Sequence, residues 1–288
     1  MTTATYHLLD VFTDTRFAGN QLAVFLEADA LDTATCQKIA HELNLAETVF
    51  LGRARAANHY PMRIFTPVEE LAFAGHPTVG TAWLLNELGM VERTPPLTLE
   101  PPVGKLPIAF IDGKASFTTA RPAQVSDSTL DATSAAALLG LSRGQVVRAP
   151  VVASCGLAFH LIELESLEAL EHVQLSSSEW ARSVAPSGAE QVYLYVIEAA
   201  EGAHVTLHSR MFSMHDSLCE DPATGSAAAA LTGYLAAQGE TRRCVVHQGI
   251  KMGRPSVIDT AMTGERVRVS GRAVRVGKGE FYLDVIET

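Results

Sequence analysis

A short pattern occurs twice in this chain, once in each half. The first copy is Arg63-Ile64-Phe65-Thr66, a spacer, then Pro77-Thr78-Val79-Gly80-Thr81-Ala82. The second is Arg210-Met211-Phe212-Ser213, a spacer, then Pro222-Ala223-Thr224-Gly225-Ser226-Ala227. The copies lie 147 positions apart at the Arg and 145 at the Pro and Gly. This register sets His76 opposite Asp221, each directly before its proline. A duplication of this size implies two similar domains facing each other across a cleft. His76 and Asp221 are then expected to meet there as two titratable groups in equivalent positions.

Each copy reads as strand, loop, helix, with helices expected over about 78–88 and 224–237. The residue before a proline is pushed out of the helical region, which predicts extended backbone at His76 and Asp221. Gly80 and Gly225 let another group approach the first helical turn. Free N–H groups at a helix start, aided by the helix dipole, suit an anion such as a carboxylate. Two such starts at one cleft are suited to holding a small acid.

The chain has 288 residues, 47% of them hydrophobic, and a net charge of −10. That length suggests about two domains. The acidic balance argues against a general nucleic-acid binder, which needs a basic footprint. No apolar run approaches the ~18 residues that span a bilayer, so no membrane partner is expected. The first residues lack a basic, signal-like stretch. Four scattered cysteines (Cys36, Cys155, Cys219 and Cys244) form no Cys-x-x-Cys. A cytoplasmic protein with reduced thiols fits these features.

Strands are expected over 6–13, 22–26, 48–51, 60–66 and 114–119, then 151–164, 191–197, 205–213, 244–247, 267–270 and 280–285. A helix over 33–43 is capped by Asp32; others are expected over 131–139, 167–172 and 178–184. The polar stretch 120–129 is the candidate linker. This divides the chain into an N-terminal repeat domain, 1–120, and a C-terminal one, 121–288, with the last strands as candidates to complete the first domain. The runs Gly113-Lys114-Ala115-Ser116-Phe117 and Gly277-Lys278-Gly279-Glu280-Phe281 read as a weaker second trace of the duplication.

Glu47 stands where the chain turns from the first long helix into the apolar Val49-Phe50. Desolvation there favours a raised pKa and proton transfer near neutral pH. His76, in Phe73-Ala74-Gly75-His76-Pro77, is a candidate donor or proton shuttle. His215, Asp216, Glu220 and Asp221, even with His76, match no metal-ligand spacing, so no metal is expected. Gln248-Gly249-Ile250-Lys251-Met252-Gly253-Arg254-Pro255 lacks the Gly-Lys-[Ser/Thr] of a phosphate loop and reads as a tight turn between strands. Cys219 has no thiol counterpart in 70–76, which argues against two-thiol racemase chemistry.

Taken together, Gly19-Asn20-Gln21-Leu22-Ala23-Val24-Phe25, Asn44-Leu45-Ala46-Glu47, Arg63-Ile64-Phe65-Thr66-Pro67, Phe73 to Pro77, Ser209 to Phe212, Glu220 to Ala227 and Gln248 to Ser256 resemble the phenazine-biosynthesis PhzF-like isomerases. The motifs recur in order over nearly the whole chain. The resemblance implies an α+β, diaminopimelate-epimerase-like fold: two similar domains, each a curved, mostly antiparallel sheet or barrel around a central helix, related by a pseudo-two-fold. In the founding member a glutamate moves a proton between ring carbons of trans-2,3-dihydro-3-hydroxyanthranilate, without metal or organic cofactor. Carried onto this chain, the resemblance assigns Glu47 as acid/base, with His76 and Asp221 as polar partners. It places Gly75, Gly225 and Ser226 in substrate-holding turns, and Asn20 at a matching polar position. Gly80 joins the substrate-binding set through its place in the repeat. The phenazine enzymes have Asn-Leu-Ser-Glu where this chain has Ala46. The resemblance also implies a homodimer.

The expected function is therefore a cofactor-independent isomerase acting on a small carboxylate-bearing substrate, cyclic or amino-acid-like. An epimerase or racemase using Glu47 with a second base is the alternative enzyme. A non-catalytic small-ligand-binding protein on the same fold is the alternative of another class.

Overall fold

The computed structural model describes residues 3–92, 94–214 and 217–283. The chain forms two compact units. One is Met1–Phe117 with Ser270–Thr288, and the other is Thr118–Val269.

In the first unit the strands lie in the order Ala273–Tyr282, Thr3–Val11, Asn20–Phe25, Glu47–Leu51 and His59–Phe65. The third and fourth are parallel, and the other neighbouring pairs are antiparallel. Helix α1 (Thr33–Leu43) supplies the parallel crossover. Asp32 caps it by accepting from the Thr35 N–H at 2.8 Å. Its Cys36, Ile39 and Ala40 pack with Phe25, Phe50 and Phe65, so one face of the strands is fixed by apolar burial. Asn44 ends α1 in the left-handed region at φ 50° and turns the chain into the strand that begins at Glu47.

Helix α2 (Gly75–Glu87) follows the short strand Glu70–Leu71. It is buried on almost every side, as a central helix must be. Gly80 makes that close approach possible. A Cβ there would stand 2.6 Å from Leu22 and 2.7 Å from Val11. Gly80→Ala is therefore expected to cost about 1–3 kcal/mol of stability by overpacking, measured by urea unfolding.

The second unit repeats the pairing. Its strands run Gln124–Asp127, Val151–Ser154, Ala158–Glu163, Gln191–Glu201 and His204–Met214. Again only the third and fourth are parallel. Helices α3 (Ala132–Leu139), α4 (Leu167–His172) and α5 (Ser177–Ser183) are capped at their starts by Asp131, Ser166 and Ser176. The central helix is α6 (Gly225–Ala237), which follows the strand Leu218–Asp221. In both units the fifth strand also pairs antiparallel with the short strand before the central helix. In both it pairs parallel with a strand after that helix, Thr98–Glu100 or Arg243–Gln248.

The repeats and the units do not coincide. Gln124–Asp127, the last strand of the first repeat, pairs in the second unit. Ala273–Tyr282, the last strand of the second repeat, pairs in the first. The stretch 120–129 is thus not a free linker, because its centre is a paired edge strand. The runs at Gly113 and Gly277 are not counterparts either. Lys114–Thr118 forms a hairpin with Leu106–Ile111, whereas 277–281 lies within the strand paired to Thr3–Val11.

The structure also corrects the register of the duplication. Phe65 faces Glu70 across one hairpin, and Phe212 faces Glu220 across the other. Counting forward from those glutamates, Ala74 and Thr224 are the two N-caps, Gly75 and Gly225 begin the helices, and His76 corresponds to Ser226. Asp221 corresponds to Leu71, not to His76. His76 lies inside the first turn of α2 and not in extended backbone before it. The preference of a pre-proline residue for extended backbone is a bias. Pro77 fits the first turn because the N–H it lacks has no intrahelical partner there. The matching prolines misled because Pro77 is inside its helix while Pro222 precedes the other.

Candidate active site

Within the first unit, Glu47 and His76 come together. Glu47 is the first residue of its strand, and His76 is in the first turn of α2. The Glu47 Oε2 atom lies 3.5 Å from His76 Nδ1, with the imidazole 5% and the carboxylate 17% exposed. Burial pushes His76 down to about 3, so the ring is neutral near physiological pH. The contact with Glu47 is then dipolar and not an ion pair. His76 Nε2 lies 3.3 Å from the Gln21 carbonyl oxygen. A carbonyl only accepts, so the single ring proton is assigned to Nε2, and Nδ1 faces Glu47 as an acceptor. A protonated Glu47 has a base within reach there. Asn20, buried at the start of the neighbouring strand, sits beside Gln21. Leu22 is in register with Glu47 across the parallel pair, so Asn20, Gln21 and Glu47 share one end of the sheet.

In the second unit, Asp221 ends its strand three residues before the N-cap of α6. Thr224 donates its hydroxyl to Asp221 Oδ2. The fully buried Gln248 organises this turn. Its Nε2 donates to the Asp221 carbonyl at 2.8 Å and to Thr224 Oγ1 at 3.0 Å. Its Oε1 accepts from the Thr224 N–H at 3.2 Å and from the Tyr193 hydroxyl at 3.2 Å. Because Gln248 donates to Thr224 Oγ1, the threonine hydroxyl proton is free to point at Asp221, whose facing oxygen is therefore an acceptor. Sequence reasoning read 248–255 as a tight turn and missed this role. The turn is there, with Gly249 at φ 75°. A Cβ on Gly249 would stand 2.6 Å from the Pro222 carbonyl, so the turn backs directly onto the Asp221 loop.

Gly75 and Gly225 begin their helices, and Ser226 follows Gly225. Neither α2 nor α6 has a side-chain cap, whereas α1, α3, α4 and α5 each have one. The two duplicated helices thus lack the N-cap side-chain acceptor that the other four possess. Gly80 is set apart from this group. It lies in the second turn, and the chain's own Leu22 and Val11 fill the space its missing side chain leaves.

The repeat arginines hold the hairpins. Arg63 pairs with Glu70 through Nε at 2.7 Å and Nη2 at 2.6 Å, and lies over Phe65. Arg210 pairs with Glu220 at 2.8 and 2.7 Å and lies over Phe212. This fork-to-fork geometry makes each arginine a clip for the strand that leads to the central helix. The sequence carried the signal in Glu70 and Glu220, but their unequal spacing from the arginines hid it. His215 and Asp216 lie outside the described residues. Among the described residues no group of three or more His, Cys, Asp or Glu is arranged to hold a metal ion. Likewise, no helix among them is long and apolar enough to cross a membrane.

The depressed pKa of His76 has a consequence for stability. An ordinary histidine, in the unfolded chain, takes up a proton near 6.5, whereas folded His76 stays neutral down to about 3. This contribution is complete above about pH 6.5 and is lost as pH falls toward 3, at up to ~1.4 kcal/mol per pH unit. His76→Gln is expected to flatten the fall of unfolding free energy between about pH 6 and 4. Urea titrations at several pH values read this out, and parallel wild-type and mutant slopes would contradict it.

Two units of this build, each with a buried central helix whose start carries the polar groups, define a diaminopimelate-epimerase-like fold. Solved structures share it. A PhzF-family phenazine biosynthesis protein of Bacillus anthracis superimposes with a TM-score of 0.85 at 24% identity, covering 98% of this chain and 100% of that one. A hydroxyproline epimerase of Agrobacterium vitis does so at 0.61 and 15% identity, covering 99% and 94%. Several curated relatives are named isomerases. An uncharacterised isomerase of Mesorhizobium japonicum is 35% identical over 98% of this chain and 100% of its own length. The trans-2,3-dihydro-3-hydroxyanthranilate isomerase of Pseudomonas fluorescens is 32% identical over 96% and 99%. The protein is an isomerase by these relations. Residues 9–279 match the PhzC-PhzF model, described as phenazine biosynthesis-like protein, and the chain belongs to that family.

Proposed function

We propose that this isomerase moves a proton between carbons of a small carboxylate-bearing substrate, cyclic or amino-acid-like, with Glu47 as the proton carrier. The observation that carries this reading is the half-buried Glu47 carboxyl against a neutral His76 at an uncapped helix start. Glu47 takes a proton from one carbon, the double bond migrates, and the same carboxyl returns the proton to another carbon. His76 Nδ1 receives a hydrogen bond from Glu47 while the carboxyl holds the proton. The first turns at Gly75–His76 and Gly225–Ser226 bind the substrate carboxylate or its developing charge through backbone N–H groups. Asn20 and Asp221 orient the substrate's polar groups. No step needs a metal or organic cofactor. The family resemblance extends the reading to a homodimer, and the scattered cysteines, with no Cys-x-x-Cys, to a cytoplasmic location.

The test is proton exchange in deuterated water. The purified protein is incubated with trans-2,3-dihydro-3-hydroxyanthranilate, the compound in its relative's name, and with a panel of cyclic and amino-acid carboxylates. Enzyme-dependent deuterium on carbon, with movement of a double bond, is the expected result. Label at one stereocentre with inversion and no bond shift would make the protein an epimerase instead. Saturable binding with no exchange for any ligand would favour a binding protein.

A further inference from the structure

A second feature of the first unit is independent of the Glu47 chemistry. The pairing of Thr3–Val11 with Ala273–Tyr282 is irregular between Leu8 and Leu9. Leu8 faces Gly277 and Leu9 faces Arg275, so Val276 is the extra residue of a bulge. A bulge locally bends and twists its strand. Beside it lies a hollow of about 470 Å³ lined by Arg16, Arg275, Val276, Gly277 and Lys278. Arg16 is anchored by its Nε, which donates to the Arg275 carbonyl at 3.0 Å, leaving its terminal nitrogens for another acceptor.

Arg16, Arg275 and Lys278 have no carboxylate within ion-pair distance among the described residues, in a chain with 32 acidic and 22 basic side chains. Arg53, Arg55, Arg63, Arg148, Arg182 and Arg210 all have one. On the neighbouring strand, His7 is paired in register with Lys278 and is 5% exposed. Its Nδ1 is buried with no hydrogen-bond partner among the described residues. Burial first, then the charges of Arg275 and Lys278, holds the His7 ring below its ordinary value.

The geometry points to a binding site for a small phosphate-type dianion in the hollow between Arg16, Arg275 and Lys278. Two guanidinium forks and an ammonium match the oxygens of a phosphoryl group better than a single carboxylate does. The site is separate from the isomerase centre. Its lining includes none of Glu47, His76 and Asn20. The two are nonetheless linked through the chain, because Arg16 belongs to the loop between Val11 and Asn20. A bound anion ties that loop to the strand Ala273–Tyr282.

The experiment titrates the full chain with inorganic phosphate and, separately, with phenyl phosphate. Heat of binding and the NMR shift of the His7 ring protons are followed at fixed pH. Saturable binding that moves the His7 signals and weakens with added chloride is expected. Arg275→Ala with Lys278→Ala should weaken it at least tenfold. Both side chains are exposed, so the variant is expected to fold, and Arg53→Ala serves as a control that leaves binding intact. Tighter binding of the ester identifies a phosphorylated metabolite as the ligand source, and equal or tighter binding of inorganic phosphate identifies the free ion. Absence of saturable binding by both, undiminished binding in the double variant, or equal binding of acetate would overturn the assignment.

Discussion

Glu47→Gln is expected to reduce turnover by at least about 10²-fold while leaving substrate binding largely intact. Gln keeps the size and most of the hydrogen bonding of Glu47 but carries no transferable proton. Its amide can donate to His76 Nδ1, which now faces the Glu47 carboxyl at 3.5 Å, so the local geometry is preserved. Turnover and solvent-deuterium incorporation are measured for both forms once a substrate is found in the exchange screen. Near-normal turnover would remove Glu47 from the mechanism and direct attention to Asp221 and His76. Loss of binding together with turnover would assign Glu47 a positioning role.

The second large effect is expected at Gln248, and it falls on stability. Gln248→Leu preserves the approximate volume but strips a fully buried site of its polar atoms. The Tyr193 hydroxyl retains Ser209 as a partner at 2.9 Å. The Thr224 N–H and the Asp221 carbonyl each lose the bond that Gln248 supplied. Each buried group left unsatisfied costs about 1–3 kcal/mol, so a loss of about 2–5 kcal/mol is expected from urea or thermal unfolding. Gln248→Glu separates the two faces of the amide. It keeps the acceptor toward Thr224 and Tyr193 but sets a second oxygen against the Asp221 carbonyl. It is therefore also expected to destabilise, and less so at low pH, where a protonated carboxyl regains a donor. A Gln248→Leu protein as stable as wild type would show that the turn before α6 is held by its backbone alone.

Much of the first unit was legible because its signals are local. Asp32 as cap, the apolar stripe of Ile39 and Ala40, and the left-handed Asn44 lie within one stretch and fix α1 and the start of the next strand. The position of Glu47 at an apolar strand start was readable for the same reason. What was not legible depends on cross-strand register. The pairing of Phe65 with Glu70 and of Phe212 with Glu220 decides which residues of the two helix starts correspond, and the spacers differ in length. Similar Pro and Gly residues suggested His76 against Asp221, whereas the hydrogen-bonded register sets His76 against Ser226. Gly80 was misplaced by the same slip and proves to be a packing glycine. Gln248 was missed because a glutamine before a glycine carries no mark of burial in sequence. Its importance comes from four partners brought together by strands far apart in the chain.

The exchange of last strands has a further consequence for how this gene can be divided. Cutting the coding sequence between the repeats yields two pieces that each carry one strand belonging to the other fold and lack one of their own. In the first piece, Thr3–Val11 is left with an open edge that Ala273–Tyr282 would otherwise cover. In the second, Val151–Ser154 loses Gln124–Asp127. Co-expressed halves can each be completed only by a segment of the other polypeptide, so reconstitution from the two pieces is a property of the pair. A recombination event that replaces one repeat with that of a relative must bring a compatible last strand for the unit it did not replace.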